Sequence, residues 1–518
     1  MKELNENSVL EFYLQEIEND KIYFLKNKKE KKKIVSELIY KLKQSVSMNE
    51  KIIIAKELWK TLFEASMSSL DSNKDGYDTL FEYFDNYVDF EELIFASDSF
   101  YRDHTLHCLW VYFLGEYLIK SDEFSPIFQN MFTFYEEINN LKFEIESLNM
   151  KDSFADLYTL YSNLSKMGQL YDTQCCIAAL THDLGYPLKK IDKINKSIKK
   201  ILPTFSINNY DEFNFNFSNV DQNFISSFLN FLSYNFTLHF TEESVKNSDV
   251  NVKKLLEEVF IFENVDENST LIRFSKDKFK SLNNEELIVV KQFLHGNITI
   301  QESPSILWRY SKDFEEYKHG IMSAFLLIKN IAAFRTINLH YSDKNSINQD
   351  VNYLDIASKQ SILQAISDHT SDGFKITSIN NLSSFLSLVD ELEEFSRISR
   401  ANQNREYIEE FCRTNIYMEN SWFNIDFTFE NTEIDNLDPE RAFKGRCQRF
   451  LTLFDIPNLD ESLNIRLRCI GNLPNNSNIY TLEIGQKYAK IKINDDEMNI
   501  PSYLKSNNFY TSEEYSFL

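Results

Sequence analysis

A chain of 518 residues holds enough material for two or three domains and a large core. Its formal charge of -24 speaks against non-specific binding to duplex nucleic acid, although a bound divalent ion can reverse the field locally for a small anion. The six cysteines (Cys108, Cys175, Cys176, Cys412, Cys447, Cys469) show no C-x-x-C spacing and no secreted framework, which points to reduced thiols in a cytoplasm. The opening Met-Lys-Glu-Leu-Asn-Glu lacks the apolar segment of a signal peptide. No apolar run approaches the roughly 20 residues of a membrane span, since Lys329 and Asn330 break the stretch from Gly320 to Phe334. A cytoplasmic protein without a membrane partner is expected.

Few Gly and Pro, and apolar residues recurring every three or four positions, predict a mainly α protein. Residues 1–94 read as an N-terminal helical region, with Lys26 to Lys33 as a solvated helix face. Asp71, Asn73, Asp75, Gly76 and Glu82 match the spacing of a calcium-binding EF-hand loop. However, Asp78 occupies its normally apolar position and no second loop is present, so an Asx- and Gly-rich turn between helices is the preferred reading. Residues 95–400 continue the helical pattern and carry the histidines of interest. Within them, about 206–305 is rich in Phe, Asn and acidic residues and reads as a helical insertion or cap.

The pattern changes in 401–518. Phe423, Ile425, Phe427 and Phe429 alternate with polar residues, and Asp438-Pro439-Glu440 opens a helix. Leu463, Ile465, Leu467 and Cys469 alternate again, and Tyr480 to Ile493 reads as a hairpin through Gly485-Gln486. A small C-terminal α+β domain of order β-α-β-β is expected.

Chemistry concentrates in two short runs. In Tyr101-Arg-Asp-His-Thr-Leu-His107, the residues His104, His107, Val111, Leu114 and Leu118 share one face of a helix. His182-Asp183 ends the apolar stretch Ile177 to Leu180, with Gly185 and Pro187 just beyond. A carboxylate buried there costs several kcal/mol unless it is paired or bound to metal. Imidazole is the commonest metal-ligand partner. Taken singly, His182-Asp183 reads equally as a capping aspartate beside a surface histidine.

Arg102, His107 and Val111, followed by His182-Asp183-Leu-Gly-Tyr-Pro, resemble the HD-domain metal-dependent phosphohydrolase superfamily, over roughly residues 95–400. The resemblance implies an HD-type helical bundle. It also implies that His107, His182, Asp183 and Asp390 hold one metal, while Asp183 bridges to a second held by His319 and His369. Asp368 and His340 compete for the role of His369. Mixed imidazole and carboxylate ligation suits two ions of Mn, Fe, Co, Ni or Zn better than Mg. The implied activity is hydrolysis of a nucleotide or related phosphoester, as a phosphodiesterase or phosphomonoesterase, by a water activated between two metals. Asp183 and His104 are the implied catalytic residues. His104 is placed like the proton-donating histidine of HD-type phosphodiesterases, but three residues before the metal histidine instead of four, so it either donates a proton or orients a ligand.

Arg102, Lys189, Lys190 and Arg397 are the cations placed to bind substrate phosphate. Lys189, Lys193, Lys196 and Lys200 line one side of a helix whose other side is Ile191, Ile194, Ile198 and Ile201. Those lysines form either a solvated face or a rim that steers an anionic substrate. Two other classes of function compete with hydrolysis. One is a non-catalytic metal or nucleotide sensor or scaffold, with a protein partner or self-association through the C-terminal domain. The other is a di-iron oxygenase on the same six ligands.

Overall fold

The computed structural model describes residues 4–71, 73–95, 100–128, 171–213, 217, 219–239, 250–264, 270–274, 278, 281–295, 297–335, 353–395, 397–399, 412–430, 432 and 437–498. The N-terminal region folds as α1 (Glu6–Glu18), α2 (Lys29–Gln44), α3 (Met48–Met67) and α4 (Tyr77–Phe95). Lysines of the basic stretch are used internally, Lys31 pairing with Glu64 and Lys32 with Asp20. The loop resembling a calcium site is a turn: Asn73 N–H donates to Asp71 Oδ1, and α4 already begins at Tyr77. Asp78 and Glu82 are therefore exposed on a helix instead of closing around Asp71.

Next comes α5 (His104–Lys120), begun by Asp103, whose side chain caps Leu106 N–H. Apolar residues fall on every side of this helix, so it has to be surrounded. Every residue from His104 to Gly115 is buried. The expectation of one buried face is thus too narrow. Around α5 stand α1, where Tyr13 and Tyr112 share a hydroxyl hydrogen bond of 3.0 Å, and a helix at 171–181 (α6). From α3, Trp59 donates its indole N–H to Leu180 O at 2.7 Å.

Lys120, at the end of α5, carries its ammonium 2.9 Å from Glu116 and 3.2 Å from Asp172, and it donates to Lys21 O at 2.8 Å. Its side chain is 9% exposed. Replacing it by Met is expected to cost about 3–5 kcal/mol, because two buried carboxylates lose their counter-charge. Urea unfolding at neutral pH measures this; a loss under 1 kcal/mol would contradict it.

Beyond the turn 182–185 come α7 (Tyr186–Ile201), α8 (Asn219–Ser233), α9 (Val252–Val259), α10 (Asn284–His295) and α11 (Pro304–Glu315). The chain continues in α12 (His319–Asn330), α13 (Ala332–Arg335), α14 (Tyr353–Asp368) and α15 (Leu382–Leu392). Strands β1 (Phe100–Arg102) and β6 (Arg397–Ser399) pair antiparallel, which closes the segment before α5 against the one after α15.

The insertion is not purely helical, which corrects the expectation. β2 (Tyr234–His239) pairs with β5 (Asn297–Glu302), and β3 (Phe260–Asn264) with β4 (Thr270–Phe274). Short alternations such as Phe236/Leu238 and Ile298/Ile300 carry the period of two that strands need, but they are too brief to stand out between helices.

The C-terminal region is a six-stranded sheet of order β12-β11-β10-β9-β8-β7. Its strands are β7 (Arg413–Glu419), β8 (Trp422–Phe429), β9 (Ile465–Gly471), β10 (Ile479–Gly485), β11 (Tyr488–Ile493) and β12 (Asp496–Met498). The helix α16 (Pro439–Leu453) connects the parallel pair β8 and β9, as a crossover requires. The alternating stretches at 423–429, 463–469 and 480–493 correspond to β8, β9 and the hairpin β10–β11, one strand more than the expected β-α-β-β order counts. The sheet adds β7 and β12 at its edges. Both missed strands enter through two-residue turns, Asn420-Ser421 and Asn494-Asp495, whose positive φ values suit tight hairpins without any Gly to announce them.

This sheet is fastened to the helical core. Arg449 pairs with Glu391 at 2.7 Å and Arg446 with Glu394 at 3.5 Å, both on the segment at and after the end of α15. Ile376 N–H donates to Leu453 O at 2.9 Å, and Phe124 packs edge-on to Phe423. Among the described residues, no helix is long and apolar enough to cross a membrane.

Candidate metal centre

Four separate helical segments deliver imidazoles to one carboxylate. α5 supplies His107, the end of α6 supplies His182 and Asp183, α12 begins with His319, and the residue after α14 is His369. Asp183 divides them. Its Oδ1 lies 3.1 Å from His319 Nε2 and 3.6 Å from His369 Nε2. Its Oδ2 lies 3.5 Å from His182 Nε2 and 3.6 Å from His107 Nε2. Asp390, on α15, completes the second group, with Oδ1 2.9 Å from His107 Nε2 and 3.9 Å from His182 Nε2.

Two tight packings put these segments in register. Ser323 donates to His182 O at 2.6 Å and accepts from Gly185 N–H at 2.7 Å, tying α12 to the turn that holds His182-Asp183. A Cβ on Gly185 would stand 2.3 Å from His319 O, and one on Gly320 would stand 2.3 Å from Ile366 O. Only glycine permits either approach. Pro187 does not merely stop the preceding helix, as its position suggested; it lies in the first turn of α7, where its missing N–H costs nothing.

Hydrogen bonds assign the tautomers. His182 Nδ1–H donates to Ala179 O at 2.7 Å, and His369 Nδ1–H to Ile366 O at 2.6 Å. Each Nε2 is therefore left with its lone pair facing Asp183. His107 Nδ1 lies 2.6 Å from Glu393 Oε2, and both side chains are fully buried. With that N–H directed at the carboxylate, His107 Nε2 also presents a lone pair, only 3.2 Å from His182 Nε2. Lone pairs from two nitrogens and from Asp390 thus converge on a point that calls for positive charge.

Electrostatics agree with neutral imidazoles beside an ionised carboxylate. Burial drives the His182 pKa down to about 3, outweighing the attraction of Asp183. Burial likewise lowers His319. It would raise Asp183, but positive charge or N–H donation from His182, His319 and His369 holds that carboxyl well below its usual range, a role that a bound cation would take over where the rings are neutral.

These residues fit divalent ions. His369 Nε2 is buried without a hydrogen-bond partner, so its lone pair is open to a cation. Among the described residues, the groups spaced to hold an ion are His107/His182/Asp390, Asp183/His319/His369 and Cys108/His182/Asp183, each with ligand atoms within 4.8 Å of one another. The thiol in the third lies behind His182, 3.9 Å from the Nδ1 already engaged by Ala179. Asp183, Asp390 and Glu393 bring three carboxylates to neutral imidazoles, a net negative charge that bound divalent cations would offset.

The remaining expected residues sort differently. His104 is buried, with Nε2 3.9 Å from Asp183 Oδ2 and its ring 4.0 Å from that of Tyr186, but it joins no ligand group. Asp368, the competitor of His369, is engaged elsewhere, 2.7 Å from Arg309 Nη2 and 2.9 Å from the Tyr310 hydroxyl. His340, the other competitor, lies outside the described residues. Arg102 and Arg397 are register partners in the β1–β6 ladder. Lys190 sits over the Tyr186 ring at 4.5 Å, and Lys189 is exposed. Glu393, Tyr186, Ser323 and Gly320 were not singled out beforehand. Glu393 had one available signal, since it follows Asp390 by three residues and so shares its helical face.

Comparison of the chain with protein-family models, curated proteins and solved structures finds no match.

Proposed function

We propose that this chain is a two-metal phosphohydrolase of the HD type, acting on a nucleotide or a related small phosphoester. The observation that carries the reading is the division of Asp183, whose two oxygens face two different imidazole pairs. A carboxylate so placed could serve two cation positions at once, one through each oxygen. Bound ions of Mn, Fe, Co, Ni or Zn would supply Lewis acidity toward a phosphoryl oxygen and lower the pKa of a nearby water. Asp183, His107, His182 and Asp390 would hold one ion, and Asp183, His319 and His369 the other.

The surrounding residues would do the rest. His104, beside Asp183 but outside the ligand groups, would either donate a proton to the departing oxygen or orient a ligand. Tyr186 offers a ring edge or face to the substrate, with Lys190 stacked over it as a phosphate partner. Arg102 and Arg397, register partners in the β1–β6 ladder, would be further candidates for binding phosphate.

Purified chain loaded with Mn²⁺ is expected to hydrolyse bis(p-nitrophenyl) phosphate or a member of a nucleotide panel, and to lose that activity on chelation. Two ions per chain with no turnover across the panel would instead favour a metal-bound sensor. The arginine pairs that fasten α16 beside Asp390 support that second reading, because they link the sheet to a ligand helix. Oxygen consumption with two irons per chain would favour an oxygenase.

A further inference from the structure

We infer that Glu393 makes the two cation positions inequivalent, so that the His107/His182/Asp390 position fills first and binds more tightly. The inference rests on the two-metal reading and goes beyond it. Three of the four imidazoles have a defined partner for Nδ1, and the partners differ in kind. His182 and His369 donate to neutral main-chain carbonyls, those of Ala179 and Ile366. His107 donates to a carboxylate, at 2.6 Å and with neither side chain exposed.

A full negative charge on Nδ1–H pushes electron density toward Nε2 and makes it a stronger donor to a cation. A carbonyl does so only weakly. The charge count runs the same way. The first position has Asp390 for itself, a share of Asp183, and Glu393 one imidazole away. The second has its share of Asp183 and no further carboxylate among its grouped ligands. Burial magnifies the difference, since water does not screen Glu393.

Geometry also makes Glu393 a positioning residue. It follows the last turn of α15, whose end is held by Arg449 on Glu391 and by Arg446 on Glu394. Asp390 and Glu393, one turn apart, grip opposite nitrogens of one ring, at 2.9 and 2.6 Å. His107 therefore cannot rotate away from the ion position without breaking one of the two contacts.

Stepwise Co²⁺ titration of the metal-free chain, followed by visible absorption and elemental analysis, tests this. Wild type is expected to show two classes of site. Glu393→Gln keeps an acceptor for Nδ1–H but removes the charge. It should weaken the tighter class about 10–100-fold and shift its absorption bands, leaving the weaker class unchanged. Glu393→Ala should lose one ion and retain the other. Unchanged affinities in both variants, or equal weakening of both classes, would overturn the inference while the two-metal reading stood. A wild-type chain that binds no ion would remove both. Should the variants not fold, wild type alone decides, because a single class of site with two ions refutes inequivalence.

Discussion

Asp183→Ala is expected to lower phosphoester hydrolysis by about a thousandfold or more, the upper end of what a single preorganised electrostatic element contributes, and to release both ions. Among the described residues, Asp183 is the carboxylate placed against both imidazole pairs, so deleting it would strip each position of a ligand. Asp390→Ala should differ in kind, costing the one ion that His107 and His182 share with it. The fold should survive Asp183→Ala. The surrounding imidazoles stabilise the ionised Asp183, so the metal-free variant should melt lower than the metal-free wild type while still unfolding cooperatively. Elemental analysis, turnover with Mn²⁺ and thermal melting in chelator read these outcomes together. A variant that keeps two ions and full turnover would remove the bridging role.

Gly320→Ala is expected to destabilise by about 3 kcal/mol, the upper range for overpacking, and to weaken retention of the ion held by His369. In an ordinary helix the same change stabilises by about 1 kcal/mol, so the sign itself is diagnostic. The added Cβ would stand 2.3 Å from Ile366 O, 2.7 Å from Thr370 Oγ1 and 2.9 Å from His369 Cε1. The first of these is backbone and cannot swing aside. It is also the carbonyl that accepts His369 Nδ1–H, so displacing α14 turns the imidazole with it. Guanidinium unfolding and metal analysis of the variant measure both effects. A stabilised variant with full metal content would show that α12 and α14 are not packed this closely.

Six ligand candidates could be picked out from residue type and order, and the structure brings all six to one place. His182-Asp183 stood out locally, as a carboxylate costly to bury at the end of an apolar run, whereas the full set of six is what the resemblance to the HD pattern implies. The cations were less legible. Lys189 and Lys190 adjoin Asp183 in the chain, yet one is exposed and the other lies on a tyrosine ring. A helical wheel shows which face is basic but not what lies opposite it. Strands fared similarly: β8 to β11 announced themselves by long alternation, whereas β2, β5, β7 and β12 exist because a partner strand pairs with them.

The chain's own pattern of apolar spacing determined that it is mainly helical and ends in a sheet, and it set the order in which imidazoles and carboxylates arrive. Tertiary structure alone decided that Glu393 meets His107 across 286 residues, that Asp183 faces two pairs at once, and that glycine is required where α12 crosses α14. Periodicity records that a face is buried and carries no record of what buries it. Contacts between distant segments depend on how helices settle against one another, and no short stretch of sequence encodes that.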